Sequence, residues 1–363
     1  MTTLIFTVTN DLNYDQRMFR ICDSLARSGY KVMLVGRHRP SSPPLQHSTF
    51  IQKRIRCFFD KGLGFYAEYN IRLFFWLLLN PANGICAIDL DTILPVFFVT
   101  AIKRIPRIYD AHELFCEMKE IAERPRIHSI WKWIEKRTVP RFKLGYTVNQ
   151  PIADEFKAMY NVNYEVIRSI SRLRTHDPSG QREQFILYQG AVNEGRCFET
   201  LIPAMQKVDA RLIICGDGNF MKQAKALVKS HQLEEKVIFK GMVAPDALRL
   251  LTQSARIGIT LFEKSAKSNY YSLANRFFDY IHAGTPQLCV NYPVYEEMNK
   301  LHKVSVLIDN TDINTIADRL NELLNNDTEW QKLHQQCQQA ALEWCWQNEE
   351  IKLLKFYQTI FER

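Results

Sequence analysis

Apolar positions along this chain follow two alternating rhythms. Short, β-branched runs recur at Thr2–Thr9, Lys31–Val35, Gly84–Ile88, Arg107–Asp110 and Leu144–Val148. They recur again at Phe185–Gln189, Arg211–Cys215, Val237–Lys240, Ile257–Leu261 and Val304–Ile308. Compact apolar runs of this kind predict strands. Between them lie segments of helical period. Met18, Phe19, Cys22, Leu25 and Ala26 share one face, with Asp15 placed to cap the start and Ser28-Gly29 to end the helix. Phe65–Leu79, the run from Ile93 to Arg104, Trp131–Pro140 and Pro151–Tyr160 read as helices, as do the segments around Phe198–Met205 and Pro245–Thr252. The last fifty residues are helical: Asp312–Leu324, Thr328–Trp346 and Asn348–Arg363. Strand, helix and strand in close succession form a βαβ unit, with parallel neighbours and a right-handed crossover. The pattern predicts an α/β protein with parallel sheets, twice over. Ser169–Glu183 is polar, charged and carries Pro and Gly, so it marks the boundary. Residues 1–168 and 169–345 are the expected domains, with 346–363 a C-terminal helix.

Composition narrows the class. A chain of 363 residues, 46% apolar and 24% charged, is globular and long enough for two cores. Leu73–Leu79 and Pro95–Val99, the longest strongly apolar runs, fall far short of the roughly 20 residues a span needs. The N-terminus lacks a basic leader and reads as a first strand. Nine scattered cysteines without a C-x-x-C pair fit reduced thiols in a cytosolic protein. Charge is uneven: residues 1–165 carry 23 Lys/Arg against 16 Asp/Glu, while the remainder is nearly balanced at 24 against 23. The basic half fits either an ordinary surface or an anionic partner. Lys53–Leu79, basic and then aromatic, reads either as a helix lying on a membrane or as a buried helix with Arg72 at its edge.

Ligands of parallel sheets bind beyond the C-terminal ends of the strands. That rule singles out Asn10 and Asp11 after the first strand, and Asp110, His112 and Glu113 after RIYD. A histidine there suits acid–base or orienting work, or simply caps the next helix. Asp89 and Asp91 form a D-x-D pair that fits a metal, or a helix cap at Asp91. Gly216-Asp217-Gly218 makes a tight turn, a weak dinucleotide signal by itself. In Asn269–Cys289 (NYYSLANRFFDYIHAGTPQLC), Asn275, Arg276 and Asp279 occupy the start of a short helix. Free N–H groups and a guanidinium there suit a phosphate. A capped surface helix is the plain alternative.

TNDLNYDQR, IDLDTILP, YDAHE, LYQGAVNEGR and SLANRFFDYIHAGTP, spread from residue 9 to residue 286, resemble family 4 glycosyltransferases of the GT-B fold, in a bacterial surface-polysaccharide branch. The resemblance implies two Rossmann-like domains facing a central cleft, with the C-terminal helix packing back toward the first. It implies sugar transfer from a UDP- or GDP-linked donor with retention of configuration, no metal and no cofactor. On the donor side it points to Gly190, Arg196, Gly216, Met242, Val243, Ser272, Leu273, Ala274, Asn275, Arg276 and Asp279. Arg196 and Arg276 would meet the diphosphate, Met242 and Val243 the base, and Asp279 the ribose. The expected catalytic residues are His112, Asp110 and Glu113, with His112 contacting or orienting the sugar, and Asn10 and Asp11 are expected on the acceptor side.

The chain departs from the family pattern at four places. Ala191 stands where many relatives carry Arg, and Cys197 replaces a glycine. Tyr271 stands for the first of two spaced glutamates, and Asn10–Tyr14 lacks a Gly-Gly. The expected partners are a nucleotide-sugar, a glycan or polyprenyl-diphosphate-linked acceptor and an anionic membrane at the inner face of the cytoplasmic membrane, with no nucleic acid. A sugar-nucleotide epimerase of the same fold and a non-catalytic nucleotide-sugar-binding subunit remain the alternatives.

Overall fold

The computed structural model describes residues 1–40, 42–174 and 182–362, and the chain divides into two compact units. Unit one comprises Met1–Ser169 and Gln347–Arg363; unit two comprises Ile170–Trp346. Residues 175–181 of the expected boundary lie outside the described residues.

In unit one the elements run β1 (Thr3–Thr7), α1 (Gln16–Arg27), β2 (Lys31–His38), β3 (Ile51–Arg56), α2 (Gly62–Leu79), β4 (Gly84–Ile88) and α3 (Ile93–Lys103). Then come β5 (Arg107–Ala111), α4 (Lys119–Ala122), α5 (Pro125–Thr138), β6 (Leu144–Thr147), α6 (Gln150–Tyr160) and β7 (Glu165–Val166). The sheet order is β3-β2-β1-β4-β5-β6-β7, parallel throughout. Asp15 caps α1 by accepting from the Met18 amide, as its position predicts. Strand β3 escaped the sequence reading. Its sequence, IQKRIR, alternates apolar and charged residues and stays largely exposed, because it borders only β2. Helix α3 starts at Ile93 with Thr92, not Asp91, at its N-cap position; Asp91 lies in a 3-10 turn at Leu90–Thr92. The expectation of an Asp91 cap is corrected accordingly.

Unit two runs β8 (Glu183–Gln189), α7 (Phe198–Ala204), β9 (Arg211–Cys215), α8 (Met221–Ser230), β10 (Val237–Gly241), α9 (Pro245–Ser254), β11 (Ala255–Thr260) and α10 (Lys267–Tyr270). It continues through α11 (Asn275–His282), β12 (Gln287–Val290), α12 (Pro293–Leu301), β13 (Ser305–Ile308), α13 (Ile313–Asn325) and α14 (Asp327–Glu343). Its sheet order, β10-β9-β8-β11-β12-β13, is again wholly parallel. In both sheets the first strand stands between neighbours that run outward in opposite order. Each sheet therefore has a switch point, β1/β4 in one and β8/β11 in the other, where loops diverge and a ligand can enter.

Helix α11 is seated by its apolar face. Phe277, Phe278, Tyr280 and Ile281 are buried, each burial contributing about 1.5–3 kcal/mol. The Tyr280 ring lies against Gly258 of β11, where an added Cβ would come within 2.5 Å of it, and its hydroxyl donates to the Leu187 carbonyl at 2.8 Å. The last helix, α15 (Trp346–Phe361), belongs mostly to unit one. Tyr357 lies in hydrogen-bond range of Tyr146 at 3.3 Å, and Glu349 accepts from the Arg168 amide at 2.9 Å.

Candidate functional site

At the β1/β4 switch point of unit one, the loops after β1, β4 and β5 converge. Thr9 donates from its hydroxyl to Asp91, joining the first two. Asp110, wholly buried at the end of β5, is gripped by the Arg17 guanidinium of α1: Nη2 donates to Oδ1 at 2.8 Å and Nε to Oδ2 at 3.2 Å. A fork-on-carboxylate pair of this kind holds both groups in fixed geometry. His112 Nε2 sits 3.2 Å from the same Asp110 Oδ2, and its Nδ1 3.5 Å from Asp89 Oδ2. The His112 amide donates to Asp89 Oδ1 at 2.9 Å, and the Asp89 amide to the Asp110 carbonyl at 2.9 Å. Asp89 takes φ +53°, a left-handed conformation uncommon outside glycine, and these two bonds hold it there.

This geometry sets the charges. Burial works against a charged His112, yet Asp110 and Asp89 outweigh it and raise its pKa to about 9. Asp110 goes the other way: burial opposes ionisation, but Arg17 and His112 pull its pKa below the ordinary carboxylate value. Asp89 is raised to about 7, chiefly by burial, with Glu113 and Asp91 adding repulsion against the pull of His112. Asp91 is raised to about 6, again chiefly by burial. At neutral pH His112 is thus an imidazolium, a hydrogen-bond donor and cation, not a base. Both ring nitrogens face carboxylates, so the 24% exposed side chain presents its positive charge and ring edge, not a spare N–H, to a ligand.

Asn10 and Asp11 do other work in this unit. The Asn10 carbonyl accepts from the Arg37 amide, and Asp11 pairs with Arg54 at 2.6 Å and accepts from the Asn13 amide and the Ser42 hydroxyl. Both brace the loop after β1.

Unit two builds a different surface. Gly216 follows β9 at φ +139°, and a Cβ there would come within 1.8 Å of the Gly190 carbonyl. Only glycine permits the two loops to meet so closely. Asn193 and Asn219 then tie them together, through Asn193 Oδ1 to the Asn219 amide and Asn219 Oδ1 to the Glu194 amide, each at 3.1 Å. Beneath Gly190 lies Arg276, from the first turn of α11. Its Nη1 is 3.3 Å from where a Gly190 Cβ would sit, and Nη2 donates to the Leu261 carbonyl, just past β11, at 3.4 Å. The guanidinium is therefore at the β8/β11 switch point. It lies over the rings of Tyr188 and Phe262, 4.8 and 4.6 Å from their centroids. Arg276 is 8% exposed, its Nε has no hydrogen-bond partner, and among the described residues no carboxylate pairs with it. Arg196 rests on the other contact of the same ring, its Cζ 4.6 Å from the Phe262 centroid, and Nη1 donates to Asn269 Oδ1 at 2.8 Å. The two cations are thus within twice that distance of each other.

Residues 170–344 match the family model of glycosyl transferases group 1. The chain carries a group 1 glycosyl transferase domain, and it is a glycosyltransferase. Among solved structures, sucrose-phosphate synthase from Thermosynechococcus elongatus is similar at a TM-score of 0.80 and 13% identity, over 100% of both chains. Anabaena HepE in complex with UDP and glucose is similar at 0.76 and 11%, over 99% of this chain and 100% of that one. WaaG, a glycosyltransferase involved in lipopolysaccharide biosynthesis, is similar at 0.72 and 14%, with 99% and 100% covered. At these identities the likeness shows the fold, and that fold is GT-B, as the resemblance implies. No curated protein matches the chain by sequence.

In this glycosyltransferase the remaining positions expected on the donor side are distributed as follows. Asp279 lies mid-helix in α11, accepting from Ser171 at 2.9 Å and from Gln189 at 3.0 Å. The Ala274 amide is engaged by the Tyr295 hydroxyl at 3.1 Å, and the Ser272 hydroxyl by the Asn269 carbonyl at 2.8 Å. Leu273 is buried, Asn275 opens α11, and Met242, 71% exposed, precedes Val243 after β10. Among the described residues no cluster of three or more His, Cys, Asp or Glu is placed to hold a metal ion. Sequence reasoning misses Arg17 of the His112 cluster and offers Asp89 and Asp91 only as a metal pair or a helix cap. Each lies in a motif already distinctive in the sequence, TNDLNYDQR or IDLDTILP.

Proposed function

We propose that the chain transfers a sugar from a UDP- or GDP-linked donor to a glycan or lipid-linked glycan acceptor, with retention of configuration, in cell-surface polysaccharide assembly at the inner face of the cytoplasmic membrane. The reaction needs neither metal nor cofactor. The observation that carries this reading is the buried Arg276 guanidinium, without a counter-ion among the described residues, at a sheet switch point beneath Gly190. A desolvated cation in such a place is completed by an anion. Arg196 on the same Phe262 ring supplies a second positive charge for a diphosphate. The UDP and glucose bound to HepE and the lipopolysaccharide role of WaaG support a nucleotide-sugar donor and a surface glycan.

Transfer breaks the bond between the anomeric carbon and the diphosphate oxygen and forms one to the acceptor oxygen. The acceptor proton passes to the departing phosphate. Arg276 and Arg196 stabilise the charge that develops on that phosphate, work that a metal performs elsewhere. His112, held as an imidazolium by Asp110 and Asp89, contacts and orients a sugar through its positive charge. Asp279 binds ribose, and the backbone at Met242 and Val243 meets the base. The test is calorimetric titration of UDP and GDP into Arg196→Ala and Arg276→Ala. Each variant should bind at least tenfold more weakly. Wild-type affinity in both would sink the assignment.

A further inference from the structure

Helix α2 is apolar on both sides. Phe65, Tyr69, Leu73 and Leu77 are buried against the rest of unit one. Leu63, Ile71, Phe75 and Leu79, recurring with Ala67 at every fourth position, face outward and are 49%, 58%, 57% and 82% exposed. A helix apolar all round is ordinarily covered on all sides. The outward row runs about 24 Å along the axis at 1.5 Å per residue.

The row continues onto the next helix. α2 and α3 both make right-handed crossovers on the same face of the sheet, and they pack together. Lys103, at the end of α3, donates from Nζ to the Leu77 carbonyl at 2.7 Å and also to the Asn80 carbonyl, so the two C-terminal ends are joined. Phe98 and Ile102 of α3 extend the apolar surface at 51% and 59% exposure. At the other end Glu68 accepts from the amides of Phe58 and Phe59, at 2.8 and 3.0 Å, which pins that exposed aromatic pair to α2.

The net charge around this surface is positive. α3 has no acidic residue, and α5, packed on α3, has only Glu135, which is buried. Glu68 is ion-paired to Arg72 at 2.7 Å, and at the near edge Asp60 is paired to Arg37 at 2.9 Å. Outside those pairs, the exposed basic residues on these elements and their caps include Lys61, Arg104, Lys136 and Arg137. Trp133 of α5 is 59% exposed, with the Arg137 guanidinium 5.8 Å from its ring centroid. Apolar and aromatic side chains ringed by uncompensated cations suit the acyl–headgroup boundary of an anionic bilayer. No helix among the described residues is long and apolar enough to cross a membrane. We infer that the outer face of α2 and α3, with Trp133 at its margin, lies in the surface of an anionic membrane. This docking is a property of unit one and is independent of how unit two binds nucleotide.

The test is co-sedimentation of the full chain with phosphatidylcholine vesicles, with and without 30 mol% phosphatidylglycerol. Wild type should bind the anionic vesicles at least tenfold better than the neutral ones, and lose most of that preference in 0.5 M salt. Ile71→Ser/Phe75→Ser/Leu79→Ser should lower binding more than tenfold. Arg104→Gln and Arg137→Gln should each lower it roughly fivefold. Denaturation midpoint and UDP affinity, followed alongside, should stay at wild-type values in all three variants. No vesicle binding by wild type overturns the inference, as does undiminished binding by the triple variant. A wild-type dimer that the triple variant converts to monomer, without a change in vesicle binding, also overturns it and assigns the face to a second copy of the chain.

Discussion

Replacing Arg276 by methionine separates a ligand-binding arginine from a structural one, because the two predict opposite balances. The change removes two stacking contacts, with Tyr188 and Phe262, each worth about 0.5–2 kcal/mol. It also removes two long hydrogen bonds, at 3.3 and 3.4 Å, each worth about 0.5–1 kcal/mol. Against this loss of about 2–6 kcal/mol stands relief from burying a cation without a counter-ion. That relief is several kcal/mol, and the unsatisfied Nε adds about 1–3 kcal/mol more. Methionine keeps an unbranched chain between the rings, so the net change should fall within about 1 kcal/mol of zero. Nucleotide binding has no such compensation. Losing a charge-assisted contact to a diphosphate costs about 1.5–3 kcal/mol, or a roughly 10- to 150-fold weaker Kd. Urea denaturation gives the first quantity, and calorimetry with UDP and GDP the second. A destabilisation beyond about 3 kcal/mol with nucleotide affinity intact would show that Arg276 is a core residue, and the donor site would have to be sought elsewhere.

Four further outcomes follow from the same geometry. Arg17→Met leaves the wholly buried Asp110 without its principal counter-ion and should destabilise by about 3–5 kcal/mol, read as a lower urea midpoint; a change under 1 kcal/mol would mean the pair contributes little. His112 has its pKa raised to about 9 in the fold, so its stabilising contribution is complete below its unfolded value of 6.5 and disappears as pH rises through 9. Stability should therefore drop by up to about 3 kcal/mol more between pH 6.5 and 9.5 in wild type than in His112→Gln, and equal slopes would contradict the assigned pKa. Gly216→Ala drives a Cβ into the Gly190 carbonyl and should cost at least about 3 kcal/mol together with most nucleotide binding, whereas a soluble variant of unchanged midpoint would disprove the close approach. Sugar transfer should persist in excess EDTA, and loss of turnover restored by a divalent ion would refute metal independence.

Much of the fold is legible in the chain, because parallel strands buried on both faces are written as short apolar runs, and their crossover helices carry the 3.6-residue period. The order of elements, the Asp15 cap and the glycines after β8 and β9 follow from local chemistry. Strand β3 does not, since an edge strand with one neighbour needs no apolar run, and Ile51–Arg56 looks like a charged loop. Arg17 and Asp110 are 93 residues apart and meet only because the sheet places β5 beside β4 and α1 beside the β1/β4 switch point. The left-handed turn at Asp89 likewise exists only where Asp110 and His112 hold it. For Arg276 the sequence supplies a cation in the first turn of a helix, with a surface cap as the simplest reading. Only the tertiary structure decides that the guanidinium turns inward, because α11 seats its aromatic face on β8 and β11 and carries Arg276 under Gly190. Burial without a counter-ion is a property of surroundings, and no local pattern encodes it.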